Sequence, residues 1–497
     1  MSQRKYLDYI AIVALYMFIY YAVFGSEYVY LDEINQLWWK EGKQNFLMFA
    51  TQGRWLTGVL FEKFFRLIDS VSELKALRIF SLIGWILVSF VLYHFFQRWQ
   101  KLGGWSSSLP SLMIVFTAAS LPVAVFIGWA SCMEMFLGVL FAALGSHLLF
   151  VYLQMQTQDY ISIPTSRTLL IILCGVTSLF LYQSSFGLFL LPFLIHYFYN
   201  PDKIGKKQII PLFYYLITYV IYFALFKYSL SVGNLPVSDR AEISFNVLDK
   251  ISFFFSGPLP AAFTFNYVYQ TQSLLPQILA PLLMLLWCIS IFAKHGPPGI
   301  RKSVQMMAVT LLLLSLMYIP SLIAKENFPA YRTLFAFQLA VLSVCVIQLE
   351  YFLRNNSRKK IIMAAIAMFI VVLGFYNFNF QFQKPLAWEY KVFHTHFKEV
   401  YKSATAKVFF IRSSEKTFQK KFGIKSANDE IGRPSTSREW VPEHLIRQSI
   451  YEITKDKKRA ELVEVVQFAD HAEFRNSNPQ ITERDVVIDM DRLLLGN

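Results

Sequence analysis

Eleven apolar runs follow one another through the first three-quarters of the chain. They lie near 7–25, 77–96, 109–128, 133–153, 168–184, 186–199, 209–228, 274–293, 303–323, 331–353 and 361–380. Many approach or exceed the roughly 18 consecutive apolar residues that a membrane-crossing helix needs. Within hydrocarbon a segment must satisfy its own backbone N–H and C=O groups, so such runs close into helices. The spacing predicts an all-α polytopic membrane domain of about eleven transmembrane helices. Charged residues make up only 16% of the chain, against roughly 25% in soluble domains.

The formal net charge of +14 would suggest nucleic acid in a soluble protein. Here Lys and Arg gather in alternate loops, which is the mark of the cytoplasmic side, so no nucleic-acid partner is expected. These loops carry Arg4 and Lys5; Arg98 and Lys101; Arg167; Lys203, Lys206 and Lys207; Lys294, Arg301 and Lys302; and Arg354, Arg358, Lys359 and Lys360. The short loops around 129–132 and 184–186 carry none. The N-terminus is therefore expected in the cytoplasm, and an odd number of spans sends the C-terminus outside. No small-residue cleavage site follows the first run, which is read as a retained helix. Cys132, Cys174, Cys288 and Cys345 sit in or beside apolar runs without metal-ligand spacing and are read as core residues.

Beyond residue 381 the composition turns abruptly charged. "AKVFFIRS" and "RDVVIDMDRLL" read as strands, and "PEHLIRQSIYEI" opens with Pro442, which suits the first turn of a helix. The chain divides into a membrane domain, 1–380, and a small extracytoplasmic α/β or α+β domain, 381–497. The membrane domain carries long outer loops near 26–76 and 229–273, with a shorter one near 324–330.

The first outer loop places Asp32 and Glu33 just past the first span. Adjacent residues on a helix point about 100° apart, so one carboxylate is expected to face a reaction site while its neighbour binds substrate hydroxyls or a support residue. A carboxylate held between protein and bilayer is partly desolvated, which raises its pKa toward general-base work. The ordinary alternative is a solvated acidic loop. The segment 54–69 is striped, with Leu56, Val59, Leu60, Phe64, Leu67 and Ile68 on one helical face and Arg54, Gly58, Glu62, Arg66 and Asp69 on the other. It reads as an interfacial helix lying on lipid, with Trp38, Trp39 and Trp55 at the same depth. Arg54, Arg240 and Arg332 fall on the outer side, against the basic bias, and arginine suits bidentate phosphate recognition. Snorkelling to headgroups is the competing account. Glu134 and the "YQSS" hairpin, Tyr182, Gln183, Ser184 and Ser185, are polar groups at outward span ends that could line a pocket or satisfy helix ends.

The acidic pair, "GRW" (Gly53, Arg54, Trp55), "LYQSS" (Leu181 to Ser185) and the arginine of "PAYRTLF" together resemble the GT-C class of membrane glycosyltransferases. Within that class the chain is most similar to the bacterial Gtr type-II glucosyltransferases, over about residues 1–380. The resemblance implies a polyprenyl-phosphate sugar donor and a surface-glycan acceptor such as O-antigen, with transfer at the outer leaflet of the lipid bilayer. It implies Asp32 as base with Glu33 beside it in the catalytic centre. Arg54, Trp55, Glu134, Tyr182, Gln183, Arg240 and Arg332 would bind substrate. The family pair is often Asp-Asp, and Glu33 departs from it. A divalent cation could do the arginines' work, but no metal or other cofactor is expected. An O-antigen polymerase or ligase would also need a large arginine-bearing outer loop. A transporter or flippase would place charges mid-span, where this chain has almost none. An acyltransferase would need an outer-face histidine, yet His94, His147 and His196 lie toward the inner ends of their spans.

Overall fold

The structure is a computed structural model that describes residues 3–156, 163–200, 206–270, 272–295, 299–354, 356–428 and 430–496. Lys203 lies outside the described residues, as do the side chains of Arg4, Lys5, Lys206, Lys207 and Lys294. The membrane part is helical throughout. Among the described residues eight helices are long and apolar enough to cross a membrane, or nine when one bent pair counts as a single span. The expected runs at 168–184 and 186–199 are the ones that fall short. Thr165–Leu181 is a helix of 17 residues, and the run after it begins as a 3-10 helix, Gln183–Leu190, leaving nine α-helical residues in Leu191–Tyr199. A 3-10 helix rises about 2 Å per residue against 1.5 Å in an α-helix, so this mixed segment would extend up to roughly 30 Å.

Burial separates the centre from the rim. The helix Tyr331–Phe352 has 83% of its apolar window buried and forms the centre, whereas Tyr6–Phe24 and Leu274–Ala293 have 28% each and lie at the periphery. The bent pair, Leu109–Ala119 and Leu121–Gly128, turns by 43° at Ser120. Its cause is local: Pro122 has no N–H to give the carbonyl of Ala118, so the helix breaks there. The stranded carbonyls find other donors. The hydroxyl of Tyr20 donates to Ala118 O at 2.7 Å, and Asn266 Nδ2 donates to Ala119 O at 2.9 Å. The redirected second half ends at Gly128, whose carbonyl accepts from Tyr28 Oη at 2.6 Å. That bend delivers Trp129 to Glu134 to the same end of the bundle as the first long loop.

The helix Lys359–Tyr376 does not stop at residue 380. It passes through a π-helical turn, Asn377–Gln383, into Lys384–Val400, so the expected domain boundary lies inside one continuous helical stretch. The polar residues of that turn are satisfied by the bundle, with Asn379 Nδ2 donating to Ile19 O at 2.8 Å and Asn377 Nδ2 to Asn266 O at 2.5 Å. The rest of the chain builds a three-stranded parallel sheet, with β1 Lys407–Ile411, β2 Glu464–Phe468 and β3 Asp485–Asp489 in the order β2-β1-β3. Val408 stands between Val465 and Val486, and Phe410 between Gln467 and Ile488. Parallel neighbours need crossovers, and the helices Glu415–Phe422, Val441–Thr454, Lys457–Leu462 and His471–Ser477 occupy them. "EVVQF", the edge strand β2, is absent from the strands expected by sequence pattern.

This segment is bonded to the helical bundle through buried polar groups. Glu389 accepts from the backbone N–H groups of Ser435 at 2.9 Å and Thr436 at 2.8 Å, and from the Thr436 hydroxyl at 2.5 Å. Gln448 Nε2 donates to Asp69 O at 2.9 Å, and Glu452 accepts from Val71 N at 2.8 Å. Trp38 is buried, with Lys457 over its ring, and the Trp39 ring meets His444 edge-on, so these tryptophans pack beneath the tail and not against lipid. Glu389→Ala would strand two buried N–H groups, each costing about 1–3 kcal/mol. The expected outcome is faster proteolysis between residues 423 and 440 in the detergent-solubilised protein, measured by limited digestion against the parent chain.

Candidate functional site

Asp32 precedes the helix Glu33–Trp38, yet its carboxylate makes no capping bond. An aspartate at this position ordinarily caps its own helix. Here the side chain lines a cavity of about 650 Å³ between the outer loops. The helix is started instead by Glu33, which reaches back to accept from Tyr30 N at 2.7 Å. Glu33 is fully buried and outside the cavity lining. It also accepts from Arg78 Nη2 at 2.5 Å and Ala130 N at 2.5 Å. Burial pushes its carboxyl above the usual range, opposed by the Arg78 guanidinium and the two N–H donors. Of the two carboxylates expected at the catalytic centre, Asp32 lines the cavity and Glu33 does not; Glu33 is the neighbour that binds a support residue, Arg78. The two side chains diverge around the helix, and Glu33 is consumed by a buried ion pair that holds the loop, the helix of Arg78 and the turn at Ala130 together. Leu31, between Tyr30 and Asp32, takes φ +47°, a conformation that costs an L-residue about 1–2 kcal/mol.

"GRW" heads a docked helix. Gly53 has φ +79°, and a Cβ there would run into the Tyr222 hydroxyl, which donates to Gly53 O at 3.0 Å. The helix Trp55–Phe65 was expected to float on its apolar face, but it packs on Thr57, Gly58, Phe61 and Phe65. Two features cause this. The Thr57 hydroxyl lies 2.7 Å from Leu181 O and 3.0 Å from Glu134 Oε1, and Gly58 lets the Phe46 carbonyl approach where a Cβ would sit 2.8 Å away. Trp55 is 43% exposed and lines no part of the cavity.

Arg54 enters the cavity lining with its Nε donating to Leu181 O at 3.3 Å and its Nη2 to Glu134 Oε1 at 3.0 Å. Its guanidinium stands 4.7 Å from the Phe49 ring and 4.9 Å from the Tyr182 ring. Glu134, expected to bind substrate, is fully buried behind Arg54 and outside the cavity lining. Gln183 donates from Nε2 to Gln52 O at 2.8 Å and to the Tyr222 hydroxyl at 2.9 Å, which pins the hairpin to the first loop. Arg332 lines the opposite wall, 4.9 Å from the Trp129 ring, and its Nε pairs with Glu430 at 3.3 Å. The charge of Asp32 acts on Arg332, and both Arg54 and Arg332 act on Tyr182, so these four groups share one neighbourhood. Arg240 also lines the cavity but is 56% exposed, paired loosely with Glu326 at 3.5 Å. It belongs to the rim, where Ile243 bridges Ala324 and Lys250 Nζ donates to Ala324 O at 2.5 Å and Lys325 O at 3.2 Å.

Sequence reasoning passed over Gln36, Trp129, Tyr222 and Glu430. Trp129 sits in the same outward turn as Glu134 and could have been found there. Tyr222 is one tyrosine of an aromatic span with no local mark. Cys132, read as a core residue, lines the cavity. Part of the wall is apolar: Leu216, Val220 and Phe223 line it and are 48%, 62% and 41% exposed on the flank of the candidate span Ile209–Gly233. A cavity so built brings cationic and carboxylate groups together with the exposed apolar flank of a candidate span. Among the described residues no group of three or more His, Cys, Asp or Glu stands close enough to hold a metal ion. Comparison with protein-family models, with curated proteins and with solved structures found no match.

Breaking a buried pair by removing one partner costs about 3–5 kcal/mol. Glu33→Gln should therefore lower the thermal unfolding midpoint sharply, and Arg78→Met in the same chain should recover part of the loss. Asp32→Asn should leave the midpoint near that of the parent. Differential scanning fluorimetry in detergent separates the two carboxylates.

Proposed function

We propose that the chain is a GT-C-type glycosyltransferase that moves a sugar, a hexose such as glucose, from a polyprenyl-phosphate carrier to a glycan at the outer face of the membrane. The N-terminus is cytoplasmic in this reading, and the tail after the last span lies outside. The observation that carries it is a cavity that Asp32, Arg54 and Arg332 line together with exposed apolar residues of a candidate span. A phosphate needs cations that water cannot screen, and arginines fixed against Phe49, Tyr182 and Trp129 provide them. An isoprenoid chain needs apolar contact continuous with the bilayer, and the Leu216, Val220 and Phe223 flank offers that.

The chemistry is one in-line displacement. Asp32 accepts the proton of an acceptor hydroxyl as its oxygen attacks the anomeric carbon. The bond from that carbon to the phosphate oxygen breaks on the opposite face, which inverts the configuration. Polyprenyl phosphate departs with the electron pair, and Arg54 and Arg332 stabilise the charge that develops on it. A phosphate leaves as a stable anion, so no separate general acid is required. Arg240, at the exposed rim, is placed to meet the donor as it enters.

The test is mass spectrometry of surface glycans from cells with and without the gene, followed by sugar transfer by membranes carrying single variants. Asp32→Asn should reduce transfer by about 10²–10⁴-fold with donor binding retained. Arg332→Ala should raise the donor KM more than the acceptor KM. Glycans unchanged by deletion while the protein is demonstrably expressed would overturn the reading.

A further inference from the structure

The tail contributes two buried groups to the surroundings of the cavity, and neither has a part in the displacement just described. Glu430 is fully buried, 98 residues beyond Arg332 in the chain. One of its oxygens pairs with Arg332 Nε at 3.3 Å and the other accepts from the backbone N–H of the same residue at 3.2 Å. Its charge is felt by Tyr182, Cys132, Tyr318 and Tyr331, so it sits behind the cavity wall and not on the surface of the tail. Five residues on, the Ser435 hydroxyl accepts from Leu31 N at 2.8 Å and donates to Val29 O at 3.1 Å. Leu31 is the residue with φ +47°, and Asp32 is next in the chain. Ser435 is itself held by Glu389, through the backbone bond at 2.9 Å.

We propose that the tail segment from Glu430 to Ser435 is a positioning element for the candidate active site, Glu430 setting the Arg332 guanidinium and Ser435 setting the backbone that aims Asp32. The cation and the carboxylate lie on separate membrane-domain segments, one opening the central helix and the other following the first span. A single short stretch of the tail is bonded to both. Glu430 takes the Nε side of the guanidinium, which fixes its plane against Trp129 and turns the remaining N–H groups toward the cavity. Ser435 replaces the regular backbone partners that a left-handed residue forgoes and so stabilises the turn that points Asp32 inward. The membrane helices alone therefore hold the reacting groups without fixing their geometry, and the tail completes the site.

The proposal rests on the glycosyltransferase reading, and the experiment separates the two. Equilibrium binding of undecaprenyl phosphate to the purified full chain in detergent, followed by tryptophan fluorescence, reads the phosphate site without any reaction. Arg332→Ala should weaken binding about tenfold, Glu430→Gln by about fivefold, and the double variant no further than Arg332→Ala alone, because Glu430 acts through Arg332. Ser435→Ala should bind within about twofold of the parent yet turn over about tenfold more slowly at unchanged donor KM, a split that general loss of structure would not give. Should Glu430→Gln not accumulate as folded protein, Glu430→Asp takes its place, with a weakening of about threefold expected. Unaltered binding by the folded Glu430 variant, additive losses in the double variant, or full turnover by Ser435→Ala would overturn the proposal while leaving the function intact. A parent chain that does not bind the lipid phosphate removes the function, and the proposal with it.

Discussion

The buried pair of Glu33 and Arg78 is the contact on which the cavity end of the helical bundle depends. It joins three parts of the chain at one point: the start of the first loop, the second span and the turn at Ala130. Arg78 also donates from the same Nη2 to Tyr28 O at 2.9 Å, and its guanidinium lies 3.6 Å from the Tyr28 ring. Taking two ions out of water costs several kcal/mol each, and their attraction does little more than return it. What the pair supplies is placement. With Glu33 anchored below, the helix it begins is held at the cavity, and Asp32 stands at its head.

The same economy governs the arginines. Two of the three guanidinium groups that line the cavity have a buried carboxylate behind them, Glu134 for Arg54 and Glu430 for Arg332. A cation without such a partner would be costly at this depth. The partner also fixes the cation's plane, and aromatic rings close off the faces. The result is a pair of charges held in place before any ligand arrives, which is the condition under which electrostatic stabilisation needs no rearrangement.

Much of this was legible in the amino-acid order, and the exceptions are instructive. Apolar runs are long-range in their consequence but local in their signal, so the helices could be read directly. The short hairpin around Tyr182 was ambiguous because 3-10 and α geometry share the same apolar content. The candidate site residues Asp32, Arg54, Tyr182, Gln183, Arg240 and Arg332 all reached one cavity, since outward polar groups at span ends have few other places to go. Glu33, Glu134 and Trp55 did not, and local pattern could not have told them apart: whether a carboxylate meets solvent, ligand or an arginine depends on Arg78 and Arg54, 45 and 80 residues away. The docking of the helix after "GRW" was misjudged for a related reason. Hydrophobic periodicity ranks Thr57 and Gly58 as neutral, yet small size and one hydroxyl decided which face is covered. Glu430 and Ser435 carry no mark in their own neighbourhood, because their partners lie on the far side of the chain.

The flank formed by Leu216, Val220 and Phe223 has a further consequence. A compartment walled on one side by the bilayer itself need not be large enough for its whole occupant. For a lipid-borne donor of the kind proposed, only the head would have to fit within 650 Å³; the remainder would stay in the leaflet, where additional length would bring neither gain nor penalty. Selectivity built this way would read the head and the first few carbons of a guest and remain indifferent to how long its tail is.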